Sequence, residues 1–101
     1  MNQEIVRLVT AGLHENNLRQ LVRLCEGASG QNPTLYVTLA LVFSSLAEEY
    51  AGQAIPSERY ERINVALQKP ILDLIASAGG PAEAFLARMD EVLRNFLTIR
   101  A

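Results

Sequence analysis

Tryptophan is missing from this chain, and cysteine and histidine occur once each. A single cysteine excludes an internal disulfide, so nothing points to an oxidising compartment. A single histidine excludes a di-iron carboxylate bundle, which takes two Glu-x-x-His motifs and two further glutamates. His14 also has Ala11, not Glu, three residues ahead of it. Charge of either sign is not concentrated: nine Lys and Arg stand against eleven Asp and Glu, for a net charge of −2. Nucleic-acid binding draws most of its affinity from a basic surface, and no basic cluster is visible, so no nucleic-acid partner is expected. Long hydrophobic runs are lacking as well. The longest, Thr34 to Ala47, is about 14 residues, short of the ~20 that span a bilayer, so no membrane span is expected. The start, MNQEIVRLV, has neither the basic opening nor the apolar stretch of a secretory signal, and a cytoplasmic protein is the expectation.

Aliphatic residues fill the space that aromatics leave. Half of the 101 residues are apolar and only 6% are aromatic. That length suits one domain over residues 1–101, with enough apolar surface to form a core unaided. No stretch alternates with period two, and the connections are short, so the fold class is all-α.

Pro33 to Tyr50 is the segment around which the others are arranged. Leu35, Leu39, Val42, Phe43, Leu46 and Tyr50 recur at helical spacing, while Val37, Ala40 and Leu41 add apolar groups on the other sides. A helix apolar nearly all round is expected to be buried nearly all round. The expected fold is therefore a compact bundle of four to five helices around a central one at about residues 33–51. Asn32 caps it, Pro33 fits its first position, and Gly52 stops it.

Ahead of it, Asn2 caps a first helix with the stripe Ile5, Leu8, Val9, Gly12 and Leu13. A break over Gly12–Asn17 follows, and Asn16 or Asn17 caps a second helix that buries Leu18, Leu21, Val22 and Cys25. One long helix bent near Gly12 is the alternative. Gly27 is expected to end the second helix at positive φ. Behind the central helix, Ser57 caps a fourth helix with Tyr60, Ile63, Leu67, Leu74 and Ile75 inward. Pro70 cannot donate to the Ala66 carbonyl, so this helix is expected to kink or restart there. Gly79-Gly80 ends it. From Pro81 a last helix presents Ala82, Phe85, Leu86, Met89, Val92, Leu93, Phe96 and Leu97 on one face. Glu83, Arg88, Asp90, Glu91, Arg94 and Asn95 lie on the other.

Catalytic candidates are few. Cys25 falls on an inner face, where cysteine behaves as a small hydrophobe; a Cys25–His14 pair across the first turn is the one nucleophilic arrangement available. Glu48 and Glu49 diverge by about 100° on a helix and do not form a facing pair; either can meet Arg59 or Arg62. Gly79-Gly80-Pro81 lacks the lysine and spacing of a phosphate loop. The repeated cadence of Glu4–Val9 and Gln20–Cys25 is too closely spaced for a helical solenoid. Neither a metal nor a cofactor is expected.

The functional expectation is a non-catalytic protein–protein interaction module, homo-oligomeric or a subunit of a larger complex. The apolar supply exceeds what one central helix can cover, and large uncovered patches mark partner sites. The candidate interface is Tyr36, Phe43, Phe85, Met89, Leu93, Phe96 and Leu97. Ala40, Ser44 and Ala47 add a line of small residues that admits close helix approach. The alternative is a bundle that binds an apolar or aromatic ligand, oriented by the hydroxyls of Tyr36, Tyr50 and Tyr60.

Overall fold

The computed structural model describes residues 3–100. The chain forms an all-α bundle of five helices: α1 (Gln3–Ala11), α2 (Glu15–Ala28), α3 (Pro33–Tyr50), α4 (Ser57–Ser77) and α5 (Ala82–Arg100). Two antiparallel hairpins, α2–α3 and α4–α5, make up most of the packing, and α1 lies across α2 and α4. Asn2, the expected first cap, lies outside the described residues.

The first turn of chain is a true break between two helices. Gly12 sits at φ +125°, a backbone conformation that side-chain-bearing residues rarely adopt, and its Cα faces the Tyr60 hydroxyl. The last carbonyls of α1 have no partner within their own helix. Side chains from elsewhere fill the gap. Asn17 Nδ2 donates to the Leu8 and Gly12 carbonyls at 3.1 and 2.9 Å, and Gln68 Nε2 donates to those of Val9 and Thr10 at 2.8 and 2.9 Å. Leu13 N donates to Asn64 Oδ1 at 2.7 Å, and Tyr50 Oη donates to the Leu13 carbonyl at 3.0 Å. Asn17 is thus buried inside α2, not at its cap. The cap position is His14, whose side chain makes no capping bond. Neither asparagine caps the helix, because the corner needs the Asn17 amide as a donor.

Other boundaries depart from expectation by a residue or two. Gly27 lies within α2 without positive φ, since the bonds Ser29 N to Glu26 O and Gln31 N to Ala28 O tighten that end. The cap of α4 is Pro56, whose carbonyl accepts from Tyr60 N at 3.0 Å; Ser57 is the first helical residue. Asn32 does cap α3, accepting from Leu35 N at 3.2 Å, with Pro33 in the first turn.

α3 contributes seven buried residues, Leu35, Tyr36, Leu39, Val42, Phe43, Leu46 and Tyr50. It is not buried all round, however: Val37 is 49% and Leu41 67% exposed. α2 is the helix packed most closely on α3, and the Val37–Leu41 line is left open. α4 runs unbroken through Pro70. The Ala66 carbonyl, which the proline leaves without its helical donor, accepts instead from Asn95 Nδ2 of α5 at 2.8 Å. Asn95 therefore belongs to the α4–α5 contact and not to the solvated face.

Candidate functional site

Cys25 is fully buried, and burial, reinforced by the negative charge of Glu26, pushes its thiol up to about 12. A thiol so buried and so weakly acidic does not supply a thiolate nucleophile. His14 stands at the opposite end of α2, about 16 Å away along the axis at 1.5 Å per residue. The Cys25–His14 pair is not formed. Among the described residues no three His, Cys, Asp or Glu side chains converge on a position that could hold a metal ion.

The densest polar arrangement joins the ends of three helices. Arg59, near the start of α4, donates from Nε and Nη2 to the two Glu49 oxygens at 2.6 and 2.8 Å. Its third nitrogen, Nη1, donates to the Ile99 carbonyl at 2.6 Å. A planar guanidinium matches a carboxylate in this two-bond geometry. The hydrogen bonds from Arg59 hold the Glu49 carboxyl below its usual range, and those to Glu49 hold Arg59 above its own. The cation also meets the negative end of α5. The clamp forms part of the wall of a polar cleft of about 550 Å³, with Ser45, Glu48 and Arg100 completing the lining. Each guanidinium nitrogen of Arg59 makes one bond within the protein, so the clamp ties α3, α4 and α5 together.

The tyrosines divide in the same way. Tyr50 spends its hydroxyl on the Leu13 carbonyl, and burial pushes that group up to about 12. Tyr60 packs against Gly12. Tyr36 forms part of the wall of a cleft of about 390 Å³ between α2 and α3, together with Val22, Val37, Ala40 and Leu41.

The residues expected to form an interface separate into two sets. Phe43, Tyr36, Met89 and Phe96 are buried, Phe43 completely. They face the core because α5 buries the line Met89, Val92, Phe96 and Ile99 against α4 and its surroundings, and α3 turns Phe43 inward. Phe43, Met89 and Phe96 are thereby turned into the core, while Tyr36 meets the surface only at the wall of the α2–α3 cleft. Phe85 is half-buried against the same core. Leu93 and Leu97 are exposed, and Leu86, which the sequence places on the inner stripe, joins them at 56%. The apolar stripe of α5 is thus wider than the face it buries, and its outer edge is a row of three leucines.

That row continues into charged positions. Glu83, Leu86, Asp90, Leu93, Leu97 and Arg100 follow each other in steps of three and four residues along α5, the spacing of a helix–helix seam. All six are exposed. Asp90 is paired with Arg94 of the next turn at 2.9 Å, and the Arg100 guanidinium lies 5.5 Å from the centre of the Phe96 ring. The sequence carried this signal in its 3–4 spacing, but the inward stripe, one residue over, obscured it.

No helix among the described residues is long and apolar enough to cross a membrane. Comparison with family models, characterised proteins and solved structures gives no match to this chain.

Proposed function

We propose that this chain is a non-catalytic helical module that works by protein–protein association, as a homo-oligomer or as a subunit within a larger assembly. The observation that carries the reading is that five of the six large aliphatic side chains exposed among the described residues fall on two helix faces, Val37 and Leu41 on α3 and Leu86, Leu93 and Leu97 on α5; the sixth, Val65 on α4, stands apart. Single exposed leucines are common, but aligned ones represent apolar surface that association removes from water. The chemistry-bearing residues support the same reading, since Cys25, Tyr50, Glu49 and Arg59 are all committed to internal packing or bonding. Molar mass by light scattering across a concentration series tests it. A dimer or larger species that dissociates on dilution is expected. A monomer at every concentration overturns the homo-oligomeric form of the reading.

The α2–α3 cleft supports a second reading, an apolar or aromatic ligand seated against Val22, Ala40 and Leu41 with the Tyr36 ring beside it. A thermal-shift screen of fatty acids and aromatic acids checks this. Stabilisation that is lost in Ala40→Phe favours the ligand; no shift across the panel removes it.

A further inference from the structure

The outer edge of α5 carries an order of charge that selects its own partner. Glu83 stands at one end of the exposed row and Arg100 at the other, with Leu86, Asp90, Leu93 and Leu97 between them. Building on the association reading above, we infer that α5 pairs antiparallel with α5 of a second copy of this chain, about a two-fold axis that passes beside Glu91 and Val92. This register sets Glu83 against the partner's Arg100 and Leu86 against the partner's Leu97. Asp90 then faces the partner's Leu93, with its charge already met by Arg94 of its own helix.

A parallel pair is opposed by the same residues. It would stack Glu83 on the partner's Glu83, Asp90 on the partner's Asp90 and Arg100 on the partner's Arg100, with three like-charge contacts along one seam. Inversion about a dyad turns two of these into attraction. A two-fold contact also uses one patch twice, which suits a short row that is complementary to its own reverse. The Val37–Leu41 face of α3 has no such pattern: Thr34, Thr38 and Glu48 border it, and they favour no orientation of an occupant. Arg59 adds to the case for α5 by fixing its last turn through the Ile99 carbonyl, so the seam is presented on a held helix.

Cross-linking between cysteine variants reads both partner and direction. Leu86→Cys and Leu97→Cys replace exposed residues, and Cys25 is buried, so the unmodified chain serves as the blank. In the antiparallel register residue 86 and its own copy are about 16 Å apart along the axis, well beyond the ~5.5 Å Cα separation of a disulfide. Each variant alone should therefore remain uncross-linked under mild oxidation, and an equimolar mixture should give the mixed disulfide as the main product. Melting curves of both variants confirm that the fold is retained. Self-cross-linking of each variant alone overturns the antiparallel arrangement. A light-scattering dimer with no cross-link in the mixture overturns the α5 seam while leaving the association reading in place. A monomer at every concentration overturns the seam together with the homo-oligomeric form of the association reading. The paired exchange Glu83→Arg with Arg100→Glu gives a second check: either change alone should weaken the dimer about tenfold or more, and the double variant should recover most of that loss.

Discussion

The Asn95 side-chain amide donates at 2.8 Å to the carbonyl of Ala66, the group that Pro70 leaves without a donor in α4. An interior proline removes one backbone bond and crowds the turn before it. Here the neighbouring helix restores the bond, and the α4–α5 hairpin acquires a polar anchor within an otherwise apolar contact. The two residues should therefore be energetically coupled. Asn95→Ala should cost about 1–2 kcal/mol, the usual penalty for orphaning a partly buried acceptor. In a Pro70→Ala background the backbone N–H returns to Ala66, and the same substitution should cost markedly less. A double-mutant cycle by urea denaturation measures the difference; equal costs in both backgrounds would show that Asn95 does not serve the proline's carbonyl.

The corner between α1 and α2 depends on Gly12 in a comparable way. A Cβ at this position would lie 2.7 Å from the Tyr60 hydroxyl, at a φ of +125°. Gly12→Ala should destabilise the fold by about 2 kcal/mol or more, from backbone strain and steric contact together. Adding Tyr60→Phe removes the clash and leaves the strain, so it should recover only part of the loss. Full recovery would mean that the backbone at Gly12 carries no strain.

Acid should loosen the clamp at the helix ends. The carboxyl of Glu49 is held below its unfolded value of about 4.5, chiefly by hydrogen bonds from Arg59. A depressed carboxyl stabilises the fold fully above its unfolded value, and that contribution is lost as pH falls through the folded value. The melting temperature should therefore decline from about pH 5 downward. Glu49→Gln should lower stability at neutral pH by about 1 kcal/mol and flatten the decline in acid. An unchanged acid profile in Glu49→Gln would assign the pH dependence to other carboxylates.

Much of the fold was readable from residue spacing, because apolar periodicity and strong punctuation agree. Asn32-Pro33 and Gly79-Gly80 mark boundaries that the structure keeps, and the break near Gly12 separates two helices. What escaped the sequence was mostly polar and non-local. Asn17 reads as a cap until the α1 carbonyls come within reach of its amide. Asn95 reads as solvated until Ala66 is set opposite it. The eight-residue stripe on α5 misled for a different reason: a helix that buries only part of a wide apolar face exposes the rest, and periodicity does not say which edge is covered. Phe96 and Leu97 are neighbours in sequence, yet Phe96 is 9% and Leu97 64% exposed.

That contrast gives opposite expectations for two adjacent substitutions. Phe96→Asp buries a charge in the α4–α5 contact and should unfold the chain or lower its melting temperature severely. Leu97→Asp should leave the melting curve of the monomer nearly unchanged and act only on association. A stable, fully folded Phe96→Asp variant would place the α5 core face elsewhere.

The most direct test of the account is sedimentation equilibrium of the unmodified chain beside Leu93→Asp, which sets a second carboxylate against the partner's Asp90 near the dyad. A dimer is expected for the unmodified chain and a monomer, with an unaltered helical spectrum, for the variant. An unmodified chain that stays monomeric throughout the concentration range, or a variant that dimerises as tightly as its parent, would contradict it.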